Sequence, residues 1–366
     1  MRALPFLCIV AFAAGCEKTI PAADDGPLSF EVSLTSGNGG TAASPIPFSH
    51  DAFTLTYDVS AVDRDGEPAT WFSGPLHLKL APYGKLASGQ VDTVQMVGGV
   101  ASGVAVQMYD VHDVTDIWFE AIGTDEAPGN YATGLSPEIV AANPTIRNVQ
   151  EVTPSDTLPT WETSALDGDF VQIDLAGRTA VVTGVFSDGC YVTDTTEPGL
   201  SYSSVFVFNY SRPNVEVGDK VVMLSGTDSE FYGFTELSFP TWKVDGTAAI
   251  PTPVIIDGTN VDDSNTLEMY ESALVEVDDV TVCPIDDNYT TYGQWAVTLG
   301  PASGCTAATG KINVVSASTA SEFNPADYEG ATLATVRGNL RYHSAADPAW
   351  MIYVRSMEDI AAAAAK

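Results

Sequence analysis

The sequence predicts an all-β fold, a sandwich followed by two further β units in tandem, on three observations. Runs such as "FTLTYDVSAVD" from Phe53, "LHLKLA" from Leu76, "GVAVQMYD" from Gly103 and "DIWFEAIG" from Asp116 alternate apolar and polar residues. A strand with one buried face requires that period of two, because successive side chains point to opposite sides. Gly, Pro and Asp turns break the runs at short spacing, the rhythm of an antiparallel sandwich, and no helical stretch competes. The third observation is repetition: Gly218 and Gly226 bracket "DKVVMLS" as Gly330 and Gly338 bracket "ATLATVR", each pair eight residues apart. Upstream, "TAVVTGVF" answers to "SALVEVDDVTV" from Ser272, and downstream "EFYGFTEL" answers to "LRYHSAADPAWMI". Such self-similarity means two related units in tandem.

The chain opens with Arg2 and an apolar stretch from Leu4 to Ala14, then Gly15 and Cys16. The stretch has the form of a secretory leader and is shorter than the roughly 20 apolar residues that span a bilayer. With small residues before the cysteine it resembles the lipobox of bacterial lipoproteins, although Ala13 stands where that family usually has leucine. The resemblance implies a signal peptide over 1–15, lipid on Cys16 and attachment to the membrane through it. It also implies a place in the bacterial cell envelope, at the outer membrane, on its periplasmic or surface face. Each buried CH₂ of an acyl chain contributes about 0.8 kcal/mol, so several chains hold firmly. Segment 16–44, polar and rich in Gly, Ser and Ala from Asp24 onward, reads as the anchor and a flexible tether.

The sandwich is placed at 45–140, and its runs resemble bacterial immunoglobulin-like domains of surface proteins. A proline-punctuated stretch makes 141–164 a linker. The repeat units occupy 165–249 and 250–362. "GRTAVVTGVFSDGCYVTD", "SSVFVFNY" and "VGDKVVMLSGTDSEFYGFTEL" resemble, in that order, the small OB-fold module that accompanies extracellular bacterial nucleases. Gly218, Asp219 and Val221 match its Gly-Asp-x-Val, and Tyr232-Gly233 with Thr235-Glu236-Leu237 match the continuation. The second unit resembles the partner module of the same region, with Tyr270-Glu271 at its start, Trp295 on a strand and "RSMEDI" at its end. These resemblances refine the fold class to an immunoglobulin-like sandwich followed by two OB-fold-like barrels.

Composition narrows the function. Forty-eight acidic against 15 basic residues leave a formal charge of −33. Nucleic-acid binding draws most of its free energy from lysine and arginine neutralising phosphates, so nucleic acid is not the expected partner. Asp63-Arg64-Asp65-Gly66 lacks the third ligand and distal glutamate of an EF-hand and reads as a hairpin turn. Of five cysteines, Cys8 leaves with the leader and Cys16 takes lipid. Cys283 and Cys305 flank an insertion absent from the first repeat and are expected to bond, contributing about 3 kcal/mol on the chain-entropy model. Cys190 alternates with Val192 and is expected to be a buried, inert thiol.

His50, His77, His112 and His343 show no paired metal spacing, and no nucleophile elbow or phosphate loop appears. No catalytic residue, metal or cofactor is expected. If Cys190, Val192, Val205 and Val207 face inward, alternation turns Tyr191, Thr193, Phe206, Phe208 and Tyr210 outward. That makes them the candidate binding face, unless the second barrel or the sandwich covers it. The expectation is a non-catalytic, envelope-anchored lipoprotein displaying β domains that bind a glycan or an envelope protein. Alternatives are an accessory protein of extracellular nucleic-acid processing and a hydrolase of unrecognised type.

Overall fold

The computed structural model describes residues 29–63, 65–121, 132–152, 163–343 and 349–362. Its first part is a two-sheet sandwich built from β1 (Ser29–Ser36), β2 (Phe53–Val62), β3 (Gly74–Ala81), β4 (Lys85–Leu86), β5 (Thr93–Met96), β6 (Val100–Tyr109), β7 (Asp113–Ala121), β8 (Ala132–Leu135) and β9 (Ile139–Ala141). One sheet runs β1-β2-β6-β4, the other β5-β3-β7-β8, with β9 also on β7. The period-two reading holds residue by residue. In β2, Leu55, Tyr57, Val59 and Ala61 enter the core, where they meet Leu76, Leu78, Ile117 and Phe119 of the facing sheet.

Two sequence expectations need correction. The tether does not extend to residue 44, because "SFEVSLTS" pairs along β2 and buries Phe30. Its alternating Phe30, Val32 and Leu34 supply the edge of the apolar face, outweighing the polar composition around them. The linker is also partly structured. Thr145 caps a one-turn helix, α1 (Ile146–Gln150), its hydroxyl accepting from the Asn148 N–H while the Asn148 side chain accepts from the Thr145 N–H. Ile146 and Val149, one turn apart, are fully buried in the first barrel's core, so α1 belongs to that barrel.

The first barrel continues through β10 (Phe170–Gln172), β11 (Ala180–Val185), β12 (Gly189–Asp194), β13 (Ser204–Phe208), β14 (Asp219–Glu230) and β15 (Thr235–Thr247). Five strands close in the order β11-β12-β13-β15-β14-β11, with β13 and β15 parallel and the other neighbours antiparallel. β10 adds to β14 outside the ring.

The second barrel comprises β16 (Val254–Ile255), α2 (Ser264–Glu268), β17 (Leu274–Val282), α3 (Asp287–Tyr292), β18 (Gln294–Thr298), β19 (Lys311–Val315), β20 (Thr332–His343), β21 (Ala349–Tyr353) and β22 (Ile360–Ala362). Its ring is β17-β18-β19-β21-β20-β17, again with the third and fifth strands parallel. The repeat seen in sequence is thus a repeat of topology. Gly218 and Gly330 stand just before the fourth strand of each ring with φ of 97° and 70°, a conformation that favours glycine. Cys283 and Cys305 are bonded, with Cα atoms 5.3 Å apart, and tie down the insertion that carries α3.

Candidate binding face

β12 and β13 pair antiparallel with Cys190 opposite Val207, Tyr191 opposite Phe206 and Val192 opposite Val205. Cys190, Val192, Val205 and Val207 enter the barrel core, as alternation requires. Burial pushes the Cys190 thiol up to about 12, so it carries almost no thiolate at neutral pH.

The opposite face is aromatic but largely covered. Tyr191 and Phe206 are each 1% exposed, and Thr193 is fully buried, its hydroxyl bonded to those of Ser204 and Thr183. Burial raises the Tyr191 phenol far above its ordinary value. Tyr191 and Phe206 form a cluster with Phe186, Phe234, Phe208 and Tyr353. The cover is the second barrel: the Arg341 guanidinium lies 4.3 Å from the Phe234 ring centre, 5.6 Å from Phe206 and 5.5 Å from Tyr353. Polar contacts fix the pose. The Asn339 amide donates to the Thr183 hydroxyl at 3.2 Å, Arg355 donates to the Thr183 carbonyl at 2.9 Å, and the Thr235 N–H donates to the Glu271 carboxylate at 3.0 Å. Tyr191 and Phe206 are therefore interface residues with Thr193 buried beside them, so the second barrel covers this part of the face, the alternative that the sequence left open.

What stays open is the end of the stripe. Phe208 is half-buried and its ring centre lies 4.3 Å from Tyr210, whose ring is in turn 5.3 Å from Phe239. Tyr210 is 57% and Phe239 72% exposed. Alternation does not point to Phe239, for a physical reason. Leu237 points into the core, so strict alternation would send Phe239 the same way. Instead Phe239 adopts φ 50°, beside a register shift between Ser225 and Thr227 of β14, and its ring joins the outer stripe. Tyr210 also has positive φ, 60°. Large aromatic residues occupy this region at a cost of order 1–3 kcal/mol, and such strain concentrates at binding and catalytic sites.

Elsewhere the described residues offer little chemistry. No group of three or more His, Cys, Asp or Glu is arranged to hold a metal ion among them. Asp63 Oδ1 accepts the N–H groups of Asp65 and Glu67, so that carboxylate serves its own turn. Asp228 is fully buried and its carboxyl is pushed up to about 8, by burial and then by Glu230, Asp167 and Asp169. A shallow groove between β5 and β6, lined by Gln90, Val91, Thr93, Val97, Val100 and Ser102, carries no titratable side chain. His50 and His112, not assigned a role in sequence, both lie where the sandwich meets the first barrel. Cys16 lies outside the described residues, and no described helix is long and apolar enough to cross a membrane.

No family profile matches the chain, and no curated protein matches it. Among solved structures the chain is similar to dimeric latent PorU from Porphyromonas gingivalis, at 10% identity over 90% of this chain and with a TM-score of 0.18. The match spans 34% of that protein, a likeness too slight to carry an argument about fold or function.

Proposed function

We propose that the protein is a non-catalytic, lipid-anchored component of a bacterial envelope that holds a rigid barrel pair away from the membrane and binds a partner through the Phe208–Tyr210–Phe239 stripe. The observation that carries this reading is the stripe itself, three rings in contact, two largely solvent-exposed and both on positive-φ backbone. Aromatic rings on an open surface stack on flat or ring-shaped ligands, at about 1–3 kcal/mol per base in single-stranded nucleic acids. The charge of −33 disfavours a polyanion, so an uncharged glycan fits better than DNA. The nuclease-associated resemblance is the one argument for DNA.

A glycan array probed with the chain, beside the Tyr210→Ala and Phe239→Ala variants, tests the reading. Loss of glycan signal in the variants supports it, while unchanged signal, or binding of single-stranded DNA alone, defeats it. The anchor is tested apart: Cys16→Ser should move the protein from the membrane pellet to the soluble fraction.

A further inference from the structure

Where the sandwich meets the first barrel, two imidazoles face only acceptors. His50, just before β2, places Nδ1 2.7 Å from Asp110 Oδ1 and Nε2 3.0 Å from the Asn148 carbonyl oxygen of α1. His112, just before β7, places Nδ1 3.1 Å from the Asp110 carbonyl and Nε2 3.2 Å from the Phe170 carbonyl of β10. Asp110 joins the two: it is fully buried, holds φ 55°, and sits in the β6–β7 turn. Phe48, which packs on the first barrel's core, lies edge-on to both rings, and Tyr83 lies 4.4 Å from His112.

A carbonyl oxygen cannot donate, so Nε2 of His50 must carry a hydrogen to bond Asn148. If it were the only hydrogen, the bare lone pair of Nδ1 would face the Asp110 carboxylate at 2.7 Å, which is repulsive. With Asp110 as the carboxylate, both bonds form only when the ring is doubly protonated. We infer that His50 is a pH-set latch between the sandwich and the first barrel, closed while both ring nitrogens carry protons. Latch opening would loosen α1 against the sandwich, while His112, Lys85 and Phe48 still join the two units.

The charges around the ring agree with the geometry. Asp110 faces it from the β6–β7 turn and Glu151 from the end of α1, the latter also 3.4 Å from Arg147. Lys85 of β4 lies 3.9 Å from the far oxygen of Asp110 and 3.2 Å from Asp169, on the barrel side. Asp51 is on the histidine's own segment. The hydrogen bond to Asp110 holds the His50 ring protonated above its ordinary value of 6.5, against the opposing effect of burial. With the folded value raised, the latch is fully closed below pH 6.5 and opens as pH rises through the folded value.

Nitrogen-15 NMR of the histidine rings in the full chain should show His50 with both nitrogens protonated at pH 6.5. Amide exchange of segment 145–151, corrected for intrinsic rates, should then accelerate about tenfold or more through the His50 titration, as expected for loss of one charge-assisted hydrogen bond. The His50→Gln variant should exchange fast at every pH, with no step. A singly protonated His50 ring at pH 6.5, flat exchange in the wild type, or a step surviving in the variant would each overturn the latch. A surviving step would point to another group, Asp228 being one that titrates at about 8. The ring measurement needs no variant, so a variant that fails to fold leaves the test intact.

Discussion

The two barrels share one strand order and differ in what their second and third strands turn outward. In the first, the cross-strand pair is Tyr191 with Phe206; at the corresponding place in the second, where Trp295, Val297, Ile312 and Val314 fill the core, the outward pair is Ala296 with Asn313. The same topology therefore presents an aromatic face in one copy and a small polar one in the other. The aromatic face lies under the second barrel, whose contribution comes from its fourth and fifth strands, through Asn339, Arg341 and Tyr353. The difference teaches that strand order decides where a face lies, while side chains decide whether it is spent on assembly or left for a partner.

The sharpest way to break that comparison is to truncate each face. Phe206→Ala should cost about 3–5 kcal/mol, because a fully buried ring leaves a cavity between two barrels. Asn313→Ala, on the half-buried equivalent face, should stay within about 0.5 kcal/mol. Urea denaturation of both variants decides it, and a loss below about 2 kcal/mol for Phe206 would mean that the face is open in solution.

Much of this contrast was legible in the sequence. Alternation assigned Cys190, Val192, Val205 and Val207 to the core and their neighbours to the outside, and the glycine pairs revealed the duplication. Alternation reports only which side of a sheet a residue takes, so it could not tell that Arg341, about 150 residues from Tyr191, lies over that face. Phe239 was hidden by its backbone, since a positive φ reverses the side that period two assigns. His50 and His112 were invisible because each ring reaches a backbone carbonyl far along the chain, Asn148 and Phe170, which leaves no composition signal, and because the carboxylate that meets His50, Asp110, lies 60 residues away.

A second contrast is covalent. Only the second barrel has a disulfide, which closes 22 residues of sequence separation around α3 and β18. Replacing Cys283 and Cys305 together by Ala should remove about 3 kcal/mol on the chain-entropy account. Hydrogen exchange should place the loss in β17 and β18 rather than in β11 and β12. Equal loosening of both barrels would show that the bond stabilises the interface and not the insertion.

The smallest effect concerns the glycine repeated in both fourth strands. Gly226 and Gly338 each lie where that strand crosses the backbone of the fifth, so both look like the same solution to close approach. The clearance differs. A Cβ on Gly226 would come 3.0 Å from the Ser238 carbonyl oxygen and 3.1 Å from the Leu237 Cβ, contacts that a shift of a few tenths of an ångström relieves. On Gly338 it would overlap the Tyr353 carbonyl, with the carbonyl carbon at 2.6 Å and the Ile352 methyl at 2.8 Å. Tyr353 cannot retreat, because it also packs on Arg341 and Phe186 at the barrel interface. Gly338→Ala should therefore cost about 1–3 kcal/mol, as overpacking does, and Gly226→Ala less than about 1 kcal/mol. Chemical denaturation of the two variants side by side checks the order. The reverse order would mean that the glycine marks the bend of the strand, not the crossing, and that the two barrels close by different means.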